Sequence, residues 1–432
     1  MPTERIAAPD IILAGRLITG EAEEPRAAQA LLLDAGRIER IVPIGRLAER
    51  TLRAASVLDC REQVVLPGLI DTHVHLTFSA GATHAEVRDV LAAESDEQLA
   101  LRALRNAQAH LAGGVTTLRD CGGRGYVTLA VWDALESGLA VGPRVLACGP
   151  AITTATGHLH YLGAIAEDEA SVRRRATEVL NRGGDFVKIC ATGGIMTDGS
   201  DPLTCQYSVE ELAAAVEVAG ERKTLVAAHC LAAEGVLRCT AAGVRTIEHC
   251  LWQTAPGEYE LNEETLAEMK RGDVIAGITF AGLGQARYWQ DVHGRKPTAD
   301  LGVWQKRMEG RYATERRMVS SGLGFTVHTD SGVRATPFGG FWAALAALAW
   351  ELQLAPAEAL RAATQTAARA LGREADLGTL APGKWADMVV VDENPLERLE
   401  ALAGPKTVLV GGRVAARGGQ ALVPPPTALP RI

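Results

Sequence analysis

Five separated segments of the chain end a short apolar run with a residue able to bind a hard or borderline metal ion. They are His73 and His75 in LPGLIDTHVH, Lys188 in DFVKIC, His229 in TLVAAH, His249 in TIEH and Asp330 in GFTVHTD. An HxH pair alone means little, because alternation along a strand puts residues i and i+2 on one face with or without a metal. Here the pair is the first of five, and each later candidate stands at the last or next-to-last residue of a β-like run. Catalytic groups gather in that place when eight parallel strands form a barrel whose upper rim is the active site.

Imidazole and carboxylate donors suit zinc and related divalent ions. Two such ions about 3.5–4 Å apart can share a hydroxide, polarise a carbonyl and stabilise a tetrahedral oxyanion. Asp330 beside them could take a proton and pass it to a leaving nitrogen, the double duty of a general acid/base. The chemistry indicated is hydrolysis of a carbonyl–heteroatom bond. Lys188 narrows it further, because an ammonium inside Phe186-Val187-Lys188-Ile189 would enter a barrel interior, where burial is strongly unfavourable unless the charge is removed or paired. A neutral amine can add carbon dioxide to become a carbamate, turning a cation into an anionic oxygen donor able to bridge two metals. A salt bridge to a carboxylate is the ordinary alternative for an isolated Lys; four His and an Asp on neighbouring strand ends favour the carbamate.

The elements that must position these groups can be counted. Apolar, β-branched runs at 64–70, 115–118, 144–147, 186–189, 225–228, 246–247, 274–278 and 324–327 alternate with helix-period segments at 97–111, 126–139, 171–181, 209–221, 232–242, 263–271, 303–320 and 338–352. Glycines end several helices just before the next strand, among them Gly114, Gly184, Gly243 and Gly322. The pattern predicts an α/β chain folded as a (β/α)8 TIM barrel over residues 67–376. A doubly wound sheet would bind its ligand at one switch point and would not explain polar residues ending strands one, four, five, six and eight. Short strands at 11–19, 30–33, 38–43, 387–392 and 406–414 predict a small composite β-sandwich domain built from both termini, residues 1–66 and 377–432, with a Pro-rich tail at 423–432.

A formal net charge of −8 and the absence of like-charge runs argue against a nucleic-acid surface. The start MPTERIAAPDIILAG lacks the basic lead of a signal peptide, and no apolar stretch approaches the roughly 20 residues that span a bilayer. A cytoplasmic homo-oligomer acting on a small-molecule substrate, with no nucleic-acid or membrane partner, is expected. The eight cysteines form no CxxC pair and read as reduced, buried apolar residues.

The strings VVLPGLIDTHVHL, GVTTLRD, FVKICATGG, QYSVEELAAAVEVAG, AAHCLAAEGV, RTIEHC, HTDSG and LGTLAPGKWADMVVVD resemble the metal-dependent amidohydrolase superfamily over nearly the whole chain. Within it the chain most resembles the imidazolonepropionase-like and Xaa-Pro dipeptidase (prolidase-like) branch. The resemblance implies two divalent ions, zinc foremost, and a carboxylated lysine. His73 and His75 would hold the more buried ion, His229 and His249 the outer one, and Lys188 would bridge them; Asp330 would bind the buried ion and act as general acid/base. It also implies that a histidine after strand three, His158 or His160, contacts substrate, with His160 the candidate to polarise its carbonyl. Tyr207 in the loop after strand four, and Arg287 and Tyr288 after strand seven with Arg295 and Lys296 nearby, are candidates to line the pocket or bind a substrate carboxylate. His84, His110 and His293 read as surface or loop residues.

Many relatives read His-Ala-His-Gly where this chain has His229-Cys230-Leu231-Ala232, and Gly-Thr where it has His328-Thr329. Both differences border the pocket and leave the substrate open. The leading reading is a binuclear metal-dependent hydrolase of an amide-type C–N bond in a dipeptide or N-acyl amino acid. The alternatives are a carbamate, urea, lactone or ester hydrolase on the same site, a mononuclear deaminase, and a non-catalytic scaffold. A deaminase would lack Lys188 and carry a Glu soon after His229, whereas Glu234 lies five residues on; a scaffold would have lost ligands.

Overall fold

Strands that are apolar along their whole length, rather than alternately, must be covered on both faces, which is the property of parallel sheets flanked by helices. The computed structural model, which describes residues 9–21, 24–280, 285–294 and 302–422, follows that rule. Eight parallel strands carry the middle of the chain: β1 (Leu69–Val74), β2 (Val115–Asp120), β3 (Arg144–Ala147), β4 (Val187–Cys190), β5 (Val226–Ala232), β6 (Thr246–Ala255), β7 (Ile275–Thr279) and β8 (Phe325–His328). β1, β2 and β3 pair in one arc, and β4 to β8 pair in sequence order in another. Across one seam the Asp330 amide donates to the His73 carbonyl at 3.0 Å and the His75 amide to the Ser331 carbonyl at 2.8 Å. Across the other, the Asp185 amide donates to the Ala147 carbonyl at 2.9 Å. The result is a TIM-barrel-like α/β domain.

The helices between the strands start where the side-chain chemistry says they should. Ser95 with Gln98, and Ser208 with Glu211, form capping boxes that satisfy the first amides of Asp96–Ala112 and Val209–Glu221. Among the described residues five further helices, Glu49–Ala54, His84–Ala93, Ala286–Asp291, Pro356–Ala362 and Gln365–Ala370, join the eight expected ones.

The first barrel strand differs from the expected 64–70. That run is split: Val57–Pro67 pairs antiparallel with Met388–Val391 in the terminal sheet, and β1 begins only after Gly68. Gly68 passes so close to β2 that a Cβ there would stand 1.9 Å from Thr116 Oγ1. The apolar run therefore crosses from one sheet to the other at the one residue without a side chain. His73 consequently lies inside β1 and His75 just past its end.

Both chain ends meet in one eight-stranded sheet ordered Gln420–Ala421, Arg413–Arg417, Thr407–Val410, Met388–Val391, Val57–Pro67, Ile11–Leu17, Arg26–Asp34, Arg37–Pro43. Its core includes Ile12, Leu17, Leu31, Ile38, Met388 and Leu409. The tail at 423–432 lies outside the described residues. Among the described residues no helix is long and apolar enough to cross a membrane, and the eight cysteines are unpaired, seven of them buried.

Arg144, at the start of β3, ties the terminal sheet to the barrel strands. Its Nε donates to Asp387 Oδ2 at 2.7 Å and its guanidinium stacks 4.4 Å from the Trp385 ring, whose other neighbour is Arg37 at 4.1 Å. Asp387 also accepts from the Gly411 amide at 2.6 Å. Asp387→Ala leaves that amide and a half-buried guanidinium unmatched. It is expected to lower stability by about 2–4 kcal/mol, the range for breaking one side of a buried charged hydrogen-bond set. Urea unfolding followed by far-UV circular dichroism checks this; a loss below about 0.5 kcal/mol would make the contact incidental.

Candidate metal centre

Backbone hydrogen bonds decide what the histidines can offer. His75 Nδ1 faces the Gly122 carbonyl at 2.7 Å and His229 Nε2 faces the Gly193 carbonyl at 3.1 Å. A ring nitrogen facing a carbonyl oxygen carries the proton, so His75 Nε2 and His229 Nδ1 are left as bare lone pairs. His73 Nδ1 faces Glu248 Oε2 at 3.3 Å, which frees His73 Nε2 in the same way. His249 Nδ1 is held by Thr279 Oγ1 at 2.6 Å.

The bare nitrogens converge. His73 Nε2 and His75 Nε2 are 3.4 Å apart, and Asp330 Oδ1 lies 3.6 and 3.4 Å from them with no hydrogen-bond donor of its own. Three such atoms turned on one another form a group that could hold a cation. His229 and His249 stand ring to ring at 4.6 Å, and His73 and His249 at 5.2 Å. Lys188 is 2 % exposed, and its Nζ has no hydrogen-bond partner. His73, His75, Lys188, His229, His249 and Asp330 therefore line one cavity of about 430 Å³, together with His158. The donor set suits divalent ions.

Electrostatics point the same way. Burial, helped by Lys188, holds His73 well below the usual imidazole range; burial also brings His75 and His229 down to about 3, so these rings are neutral and their lone pairs can serve a metal. Burial pushes Asp330 up to about 7, against the pull of Lys188. His249 and Asp330 also adopt φ of +68° and +55°, a left-handed backbone that costs non-glycine residues energy and gathers at functional sites.

The other expected site residues are scattered. His158 lines the cavity and packs 4.3 Å from the His229 ring. His160 points elsewhere, its Nδ1 on its own turn at the Gly157 carbonyl. Tyr207 is buried with its hydroxyl donating to the Ala166 carbonyl at 2.9 Å, a strut behind the loop rather than a pocket wall. Arg287 lies near Glu351 and over the Trp350 ring, and the Tyr288 hydroxyl donates to Glu400. Neither borders the cavity. Arg295 and Lys296 lie outside the described residues.

His110, expected at the surface, is fully buried: its Nε2 bonds Asp71 Oδ2 at 3.0 Å and its Nδ1 accepts from the Gly339 amide. His293 contacts the Tyr288 hydroxyl at 3.1 Å, and His84 borders the cavity with Nδ1 2.9 Å from Met196 Sδ.

Several functional neighbours escaped sequence reasoning. Glu248 sits behind the centre between His73 and His328, its other oxygen receiving Arg119 and Thr246. Burial opposes its charge, but Arg119 and Lys188 outweigh that and hold the carboxyl at about 2. Gly277 makes room for this cluster, since a Cβ there would stand 2.8 Å from Glu248 Oε2 and 2.9 Å from His328 Nε2. The available signal was a charged residue inside an apolar run, Glu248 in TIEH and Arg119 in TTLRD, the same signal that singled out Lys188. Arg311 and Arg334 border the cavity from a helix and from the loop after β8.

A family model described as the Amidohydrolase family matches residues 64–415. The ochratoxinase of Aspergillus niger is 29% identical over 440 residues, covering 92% of this chain and 84% of its own length. The imidazolonepropionase of Anaeromyxobacter dehalogenans is 28% identical over 368 residues, 79% of each. A crystal structure of a Xaa-Pro dipeptidase with bound methionine in the active site superposes with a TM-score of 0.79 at 25% identity, covering 94% of this chain and 99% of that one. The chain belongs to the amidohydrolase family and is a hydrolase acting on carbon–nitrogen bonds.

Proposed function

We propose that the chain hydrolyses the amide bond of a dipeptide or N-acyl amino acid at a two-metal centre. His73, His75 and Asp330 would hold one ion, His229 and His249 the other, and a carbamate on Lys188 would bridge them, all at the rim of one (β/α)8 barrel spanning residues 67–376, with residues 1–66 and 377–432 as the accessory β-domain. The observation that carries this reading is the buried Lys188 amine without a partner, set among imidazoles and the undonated Asp330 oxygen. An ammonium would require acceptors there. A neutral amine can instead form an N–C bond to carbon dioxide and release a proton, which leaves an anionic donor of the kind the ions want.

Bound divalent ions, zinc foremost, would supply Lewis acidity toward a water and toward the scissile carbonyl. The chain's own residues do the rest. Asp330 accepts the proton of the attacking water and returns it to the departing nitrogen, the double duty of a general acid/base carboxylate. His158, near the His229 ring and contacting Thr197 Oγ1 at 3.4 Å, would donate a hydrogen bond to the carbonyl oxygen, the part first given to His160. Glu248, fixed by Arg119, orients His73.

Elemental analysis of protein reconstituted with zinc is expected to find close to two ions per chain, and His229→Ala should lose mainly one; a single ion in well-folded native protein would count against a binuclear centre. Lys188→Ala should fold yet be nearly inactive on an N-acyl amino acid panel, with partial rescue by short carboxylic acids that refill the bridge. An intact, active holoenzyme shown by density to carry an unmodified lysine amine would sink the carbamate. Asp330→Asn should lose activity by a factor of roughly 10² or more while keeping much of its metal, in line with general acid/base contributions. Near-normal turnover would move the base elsewhere.

A further inference from the structure

The cavity in front of the centre is walled largely by apolar side chains, among them Phe78, Met196, Leu203, Leu231, Leu251 and Met308. Two guanidinium groups interrupt that wall, and charge accounting separates them. Arg311 is already neutralised. Its Nε donates to Glu315 Oε1 at 2.7 Å and its Nη2 to the Thr279 carbonyl at 2.6 Å, so it braces the residue whose hydroxyl holds His249.

Arg334 is different. It is half-buried on the loop that leaves β8, four residues after Asp330, and among the described residues its guanidinium has no ion pair and no hydrogen bond. Another nitrogen base of the cavity wall, His84, has its protonated form disfavoured by burial, by Arg334 and by Arg88, against Asp198, which is itself paired to Arg88. The remaining carboxylates on the wall are committed: Asp201 accepts from the Leu203 amide and the Thr204 hydroxyl, and Asp330 belongs to the centre. A fixed cation partly withdrawn from water, beside an apolar surface and without a protein counter-ion, is a receptor for an anion on the ligand.

We propose that Arg334 determines specificity by receiving the free carboxylate of the substrate, which is thereby an amide between an apolar acyl group and an apolar α-amino acid. The inference rests on the amide-hydrolase reading above and gives it a substrate class. The reaction balances without a further reagent: water adds to the acyl carbon, the C–N bond breaks, and the products are a carboxylate and an α-amino acid whose nitrogen has taken the proton. Neutral ureas, carbamates and lactones offer nothing to the guanidinium and would leave it unmatched in the complex.

The test compares N-benzoyl-leucine with N-benzoyl-leucinamide, which differ only in that charge, on zinc-loaded wild type, Arg334→Met and Arg334→Lys. Wild type is expected to cleave the acid with a kcat/KM roughly 10- to 100-fold above that for the amide, the range for a hydrogen bond to a charged group. Arg334→Met should collapse that ratio, mainly by raising KM for the acid, and Arg334→Lys should retain part of it. Equal wild-type rates on the two compounds, or a ratio unchanged in Arg334→Met, overturn the assignment while leaving amide hydrolysis standing. Calorimetric binding of N-benzoyl-leucine separates the two claims. If wild type cleaves neither compound yet binds the acid at least tenfold more tightly than Arg334→Met does, the anion site stands and the amide reading falls; if the acid binds neither protein, the anion site falls as well.

Discussion

Charge burial is the constraint on which the rest of this structure depends. Around the parallel strand ends, a lysine, an arginine, a glutamate, an aspartate and several histidines are withdrawn from water, and none could stay there unmatched without a cost of several kcal/mol. The fold meets this cost in two layers. The outer layer is complete in the protein itself: Arg119 answers Glu248, Thr246 and Thr72 complete the set, and Asp71 is satisfied by His110 and Thr329. The inner layer is incomplete, because bare imidazole nitrogens, an undonated carboxylate oxygen and a partnerless amine share one cavity. Fully matched support behind an unmatched set is what separates a ligand site from a packing defect.

That division explains what could be read in the sequence. His73, His75, Lys188, His229, His249 and Asp330 announced themselves because each is a polar residue in an apolar strand run, and strand order alone brings such positions to one rim. Glu248 and Arg119 gave the same signal, but both were absorbed into their strands, since a charged residue next to a stronger candidate looks like its accompaniment. The loop residues were the weakest. Tyr207, Arg287 and Tyr288 were picked for residue type and proximity in sequence, and their partners, Ala166, Glu351 and Glu400, are set by packing that no local pattern encodes. Arg334 was passed over for the converse reason, because what marks it is the lack of a partner.

Strand boundaries failed where a single glycine decides them. The run from Val64 to Val74 is apolar enough to be one strand, and periodicity cannot say where it changes sheets. Gly68 does, because only a residue without a Cβ can pass Thr116 at that distance. The shift moves the barrel's first strand toward the C-terminus and places both histidines at the rim. A larger residue at 68 would have to displace β2, and with it Asp120, whose carboxylate holds the Leu76 amide just beyond His75.

The same geometry ties the candidate centre to the β8–β1 seam of the barrel strands. Asp330 reaches His73 and His75 only because its own amide is bonded to the His73 carbonyl, and the next residues, His75 and Ser331, are joined backbone to backbone. The first and last strands are far apart in the chain, so closing this seam carries a large loop entropy that backbone pairing over a few residues repays weakly. Bringing three acceptors together there without a hydrogen between them opposes closure further. A cation seated among them would reverse the sign of that term, since the repulsion that resists the seam would become an attraction that holds it. The proposed ligand geometry and the pairing of the seam would thus be two descriptions of one contact, made where Asp330 holds its left-handed backbone and the strands meet.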